Sequence, residues 1–369
     1  MTILFALFLA VHGLIHLLGA IKASGLADLP QLTRPIPPPL GVLWLVAALL
    51  FLGAAASLLV WPRWWWLVGA AAILVSTTAI VPSWSDAKFG AAANLIALAG
   101  VMFGFLAHGP FSLRTEYARD LAQKLAGGEA DTSTLTEAEV APLPAPVRRY
   151  LRLAGVVGQP RVRNFRVRMH GRIRGAPDAA WMPFTAEQHN FILPKARLFY
   201  MTAARMGIPA QGYHRYLGDS ATMRVKAAAL VLVQDVAGPE MLRGETVTLF
   251  NDMCVMAPAT LIDPAIEWEA VDDRRARAAF SNAGITIRAE LVFNGAGELT
   301  DFVSDDRSRL LADRRLVKMR WSTPVRGYRS FGSVRLPSGG EGKWHGPDGE
   351  FTYIELTLDA VTYNVRSPD

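Results

Sequence analysis

The chain has 369 residues, 51% of them hydrophobic, with a formal net charge of +6 and a mean hydropathy of +0.22. That length exceeds one ordinary domain, and that hydropathy is high for a protein wholly in water. The single cysteine, Cys254, excludes an intrachain disulfide and any multi-cysteine metal site. A pI near 9.6 with no basic block and no nucleic-acid motif excludes nothing but gives no reason to expect nucleic acid as a partner.

The apolar excess is local. Up to residue 108 the only charged residues are Lys22, Arg34, Arg63, Lys88, Asp28 and Asp86. Four apolar segments lie there, Ile3 to Ala20, Leu40 to Val60, Trp65 to Val81 and Phe89 to Leu106. Each approaches the ~20 helical residues that cross a bilayer core. Proline-rich or polar breaks separate them, and Trp61, Trp64, Trp65, Trp66 and Trp84 cluster at their ends, where indole rings favour the membrane interface. The first segment lacks the basic leader of a secretory signal peptide. Four spans place both termini on one side. Arg63, Arg114, Arg119 and Lys124 on that side, against Lys22, Arg34 and Lys88 on the other, bias the C-terminal part towards the cytoplasm. The expected location is the cell (inner) membrane, crossed several times.

His12 and His16 fall four residues apart on one face of the first span. Such a pair can share a metal ion, but from one face it cannot supply both axial ligands of a haem. The commoner role for imidazoles inside a bilayer is hydrogen bonding between helices. No cofactor is expected.

Leu113, Tyr117, Leu121 and Leu125 repeat every four residues and predict an amphipathic helix ended by Gly127-Gly128. A polar linker over Glu129 to Thr134 follows. Thr136 and Glu139 have capping-box spacing, and Pro142 to Leu151 begins a short helix. The expected division is a four-span domain over 1–108, a helix and linker over 109–140, and a β-rich domain over 141–369.

From Arg161 the period changes to two. Arg166, Arg168, His170, Arg172 and Arg174 alternate with Val167, Met169 and Ile173, which predicts a strand with one cationic face. That face is either a solvated surface or a contact for anionic headgroups, through Arg166, Arg168, Arg172 and Arg174. Further strand-like runs lie at 197–202, 221–226, 285–294, 298–304, 316–321, 328–336 and 351–365, with turn signals at Asn294-Gly295-Ala296-Gly297 and Pro347-Asp348-Gly349. Between them Gly238 to Leu261 reads as one helix, opened by Pro239 and stopped at Pro258. Val247, Phe250, Cys254 and Ala257 mark its apolar face. Glu245, Asn251 and Asp252 are polar groups that need partners if the helix is buried. The fold class is α+β: a four-helix transmembrane block, then a large antiparallel half-barrel wrapped on a central helix.

Several stretches resemble one uncharacterised family of bacterial membrane-anchored domains. They are His12 to Gly19, Trp84 to Gly90, Pro144 to Val156, Ala186-Glu187-Gln188, Gly244 to Cys254, Val303 to Arg307, Arg320 to Val325, and Gly340-Glu341 with Trp344-His345. That family is a domain of unknown function and implies no catalytic residues. The strand order and central helix also resemble the lipoprotein-carrier type of unclosed barrel. This second likeness implies an apolar cavity for a lipid or other apolar molecule, faced by Met241, Val247, Phe250 and Met253, with Asp305 and His214 near it.

The rival expectation is a membrane enzyme or redox protein working through His12 and His16, or through Asp301, Asp305 and Asp306. Two carboxylates on one strand face can bind a cation or act as acid and base. No nucleophile elbow, phosphate loop or metal-ligand spacing of His189, His214 and His345 supports a reaction. The function expected is therefore a membrane-anchored binding module for an apolar ligand, with the bilayer as its other partner.

Overall fold

The computed structural model describes residues 2–127, 133–311, 313 and 315–368, so most of the expected polar linker lies outside the described residues. It divides into a helical unit, the described residues up to Glu116 together with Ala228–Leu230, and a β-rich unit, those from Tyr117 to Ala227 and from Val231 onward.

The helical unit consists of α1 (Thr2–Ala23), α2 (Pro38–Val60), α3 (Trp65–Ile80) and α4 (Trp84–His108). Three runs are long and apolar enough to cross a membrane, Thr2–Ala23, Pro38–Val60 and Trp65–Ala126. The four expected segments fall within these three, because the third and fourth lie in one run, in which a 3-10 turn at Val81–Ser83 joins α3 to α4 and a short turn at 109–112 precedes the helix that begins at Leu113. Small residues let the helices approach closely. Ala47, Ala48, Ala54 and Ala72 are fully buried, and a Cβ on Gly19 would come within 2.3 Å of the Trp44 ring. Ile3, Leu4, Leu7, Leu49, Leu74, Leu95 and Phe89 point outward.

Helix α5 (Leu113–Ala126) has its first turn in the helical unit and continues into the β-rich unit, where α6 (Glu137–Val140) and α7 (Ala145–Leu153) follow. The expected capping box forms, with the Thr136 amide donating to Glu139 Oε2 at 2.9 Å. The strands follow in order: β1 (Asn164–Ile173), β2 (Met182–Ile192), β3 (Lys195–Arg205), β4 (Ile208–Leu217), β5 (Ser220–Ala227) and β6 (Val231–Ala237). After α8 (Pro239–Met256) come β7 (Ile266–Ala270), β8 (Arg275–Asn282), β9 (Ile285–Phe293), β10 (Leu299–Ser304), β11 (Ser308–Leu310), β12 (Leu316–Lys318), β13 (Arg320–Ser322), β14 (Val325–Phe331), β15 (Val334–Gly346) and β16 (Gly349–Tyr363).

Fourteen strands form one antiparallel sheet, ordered β6-β5-β4-β3-β2-β1-β16-β15-β13-β10-β9-β8-β7, with β14 paired to β15. β6 is one edge and β7 the other, and α8 joins them in sequence. The helix therefore crosses the concave side of a sheet whose edges never pair, which is the expected half-barrel.

Period-two alternation places each strand residue. On β3, Arg197, Phe199 and Met201 share one face and Leu198 and Tyr200 the other. Both faces are buried because α8 covers the first, while Tyr117 of α5 lies against Tyr200 and Tyr213 on the second. The run expected over 328–336 is a hairpin, folded at Gly332, whose φ is 63°. Its second arm, β15, continues through Gly339, Gly340 and Gly342, a composition that reads as a loop in sequence.

Candidate ligand-binding site

Helix α8 has two different faces. Val247, Phe250, Met253 and Cys254 are fully buried in the main core, where Phe250 stacks on Phe280 at 5.0 Å and meets Phe302 edge-on. Met241 belongs to the same core. The opposite face carries Glu245, Thr248, Asn251, Asp252, Val255 and Met256, and these line a cavity of about 160 Å³ beneath the sheet. The structure thus places the four apolar residues expected at a ligand in the packed core, and puts the polar face of the helix at the cavity. Sequence period defines the two faces of a helix but cannot say which one meets a void.

The cavity walls are mainly apolar, with Met169, Ile173, Phe199, Met201, Trp321 and Leu356 among them. Gly340 and Gly342 of β15 lie in the wall and supply no side chains to fill it. A Cβ on Gly342 would come within 2.6 Å of Ile354. An apolar void of ~150 Å³ holds a molecule the size of benzene. The cavity is partly open.

Its polar end is a closed network around Arg197 of β3. Arg197 Nη1 donates to Glu245 Oε2 at 3.0 Å, Nε to Asp252 Oδ2 at 2.7 Å and Nη2 to Gln188 Oε1 at 2.9 Å. Gln188 and Asn190 also donate to Asp252, at 2.8 and 2.9 Å, and His214 lies 3.0 Å from Glu245. Glu245, Asn251 and Asp252 thus have the partners that their burial requires; Asn251 donates to Thr323 Oγ1 at 2.6 Å. Burial alone would raise the Glu245 carboxyl, but the charges of Arg197, His214 and Arg307 outweigh it and hold the group at about 2. For Asp252 burial prevails and the carboxyl is raised, since one guanidinium is shared between two acids.

The other expected residues are placed as follows. His214 lines the cavity. Asp305 is exposed and forms a bidentate pair with Arg320 at 2.9 and 3.1 Å, away from the cavity lining. Asp306 pairs with Lys318 at 3.0 Å, and Asp301 accepts from the Phe302 amide at 2.8 Å. These three carboxylates do not converge on one histidine: His189 bonds Tyr117, and His345 bonds Ser322. Among the described residues no group of three or more His, Cys, Asp or Glu side chains could hold a metal ion.

His12 and His16 are tied into the helical unit. His12 Nε2 bonds Asn94 Oδ1 at 2.9 Å, His16 Nε2 bonds Ser76 Oγ at 2.7 Å, and Ser76 donates to Asn94 at 3.1 Å. This is a chain of hydrogen bonds linking α1, α3 and α4.

On β1 the cationic face is partly neutralised by β16. Arg172 forms a bidentate pair with Glu355 at 2.8 Å, and His170 lies 2.7 Å from Asp359. The guanidiniums of Arg172 and Arg174 stack on Trp181, at 4.6 and 4.4 Å. Arg166 donates to the Pro368 carbonyl at 3.5 Å, and Arg168 is exposed.

Missed in the sequence were Gln188, Arg197, Arg307, Trp321, Thr323 and Glu341, spread over five segments. A signal for most of them did exist. The stretches around Gln188, Glu245, Arg307, Trp321 and Glu341 are five of the eight that carry the family resemblance, and the fold brings these five to this one cavity.

The class defined here is an antiparallel half-barrel closed over a helix, with an amphipathic cavity between them. Residues 133–356 match the family of unknown function DUF6544, and the chain belongs to that family. No curated protein sequence matches it. Among solved structures it is similar to a DUF1329 family protein from Desulfovibrio piger, with 12% identity and a TM-score of 0.34 over 64% of this chain and 96% of that one. A LolA superfamily protein from Nitrosomonas europaea is similar at 10% identity and a TM-score of 0.29, over 63% of this chain and 95% of that one. Likeness this distant has no bearing on the ligand.

Proposed function

We propose that the protein is a membrane-anchored binding module that holds an apolar or amphipathic small molecule, such as a single-chain lipid, in the cavity between α8 and the sheet. The observation that carries this reading is the cavity itself: apolar walls, three wall glycines (Gly339, Gly340 and Gly342), and a polar end whose carboxylates are all partnered. A fully satisfied polar network beside an apolar void suits binding of a molecule with two unlike ends. No reaction is assigned.

The anchor is the helical unit, read as four spans over residues 1–108, with the β-rich domain beginning near 141. Its outward face presents Leu4, Leu7, Leu74 and Phe89, each more than half exposed, and hydrocarbon would cover them. The charge bias of the sequence favours a cytoplasmic β-rich domain. Arg166 and Arg168, the less engaged cations of β1, would be the ones to meet anionic headgroups.

The test is binding of the uncharged fluorescent probe N-phenyl-1-naphthylamine to the full chain in nanodiscs, with empty nanodiscs as the blank. Saturable binding is expected, and Val255→Trp, which fills the cavity, should abolish it. No saturable binding, or binding indifferent to Val255→Trp, would contradict the reading.

A further inference from the structure

Five charged side chains line the cavity: Arg197, Glu245, Asp252, Arg307 and Glu341. Four of them are consumed by one another or by neighbours. Arg197 takes Glu245 and Asp252, while Glu341 is held by Arg326 at 2.9 Å and Lys343 at 3.4 Å. Arg307 differs. Among the described residues its side chain makes no hydrogen bond or ion pair, and its Nε is buried without a partner. What holds it is aromatic: its guanidinium lies 4.2 Å from the Trp321 ring centre and 5.4 Å from that of Trp344. Stacking fixes the plane of a guanidinium and leaves its in-plane donors unused.

Arg307 shares the field of Glu245 but has no anion in contact, and a guanidinium at the margin of an apolar cavity gains most from an anion that hydrogen-bonds it directly. We propose that Arg307 is the head-group receptor of this cavity, so that its ligand is an anionic single-chain amphiphile whose carboxylate or phosphate takes the free guanidinium donors while its chain lies along the apolar wall. The inference rests on the apolar-ligand reading above and names the ligand class. A guanidinium pairs with either oxyanion in bidentate fashion, so the two head groups share one chemistry. Glu245 does not compete for Arg307 by contact, because both its oxygens are already engaged, one by Arg197 and one by His214.

The experiment is isothermal titration of the full chain in phosphatidylcholine nanodiscs with four probes of equal chain length: octanoate, octyl phosphate, octan-1-ol and octylammonium. Empty nanodiscs supply the blank. At least one anion should bind about tenfold or more tighter than octan-1-ol, the size expected for one charge-assisted hydrogen-bonded pair, and octylammonium should bind worst. The tighter of octanoate and octyl phosphate identifies the head group. In Arg307→Gln the anion should fall to within about twofold of octan-1-ol, whose own affinity should stay unchanged; Arg307→Lys should keep part of the preference. Equal binding of anion and alcohol, preference for octylammonium, or a preference that survives Arg307→Gln would overturn the head-group assignment and leave the apolar-ligand reading standing. Binding of none of the four would overturn both.

Discussion

Arg197 satisfies two carboxylates of α8 from a strand on the opposite side of the core. Removing it leaves Asp252 buried with only the neutral donors Gln188 and Asn190 and takes from Glu245 its strongest cation, so Arg197→Leu should cost about 3–5 kcal/mol in urea unfolding. Two acids give opposite pH slopes. Glu245 is held at about 2 against an ordinary 4.5, so its contribution to stability is complete above pH 4.5 and is lost as pH falls from there towards 2. Burial pushes Asp301 up to about 6 from an ordinary 3.8, so the folded state binds its proton more tightly and stability falls as pH rises from about 4 to 6. Asp301→Asn keeps the oxygen that accepts from the Phe302 amide and removes the charge. At pH 7.5 it should stabilise the domain by about 1–2 kcal/mol, allowing for the group's partial exposure, and at pH 3 it should have little effect. Thermal melts at the two pH values check this.

Helix α8 was legible in the sequence almost to its ends, because Pro239 and Pro258 punctuate it and its apolar residues keep a helical period. Its orientation was not. Glu245, Asn251 and Asp252 looked like liabilities on a buried helix, and only the partners arriving from β2, β3, β4 and the Thr323 loop explain them. The strand β15 was hidden for a different reason: its glycines match loop composition, while the fold uses them for space beside the cavity. The two-faced helix predicts two kinds of mutant. Phe250→Ala, in the core, should cost about 3–5 kcal/mol by chemical denaturation and leave probe affinity little changed in the protein that remains folded. Val255→Trp, at the cavity, should cost at most about 1–3 kcal/mol and abolish probe binding.

At the scale of the whole chain, composition alone separated an apolar N-terminal block from a mixed-charge remainder, and period two identified the remainder as antiparallel sheet. The cavity was beyond reach of composition because its lining comes from segments more than a hundred residues apart, joined only when α8 bridges the two sheet edges. Three apolar runs and four expected spans make different predictions about topology. With four spans, tags at the two termini should become accessible together in sealed vesicles, and accessibility on opposite sides would contradict that count. The central claim, that the cavity holds an apolar or amphipathic molecule, is tested most directly by mass spectrometry of small molecules that co-purify with the full chain in mild detergent. The account predicts a single-chain amphiphile near one per protein in the wild type and its loss from Val255→Trp; equal recovery from both proteins, or from neither, would contradict it.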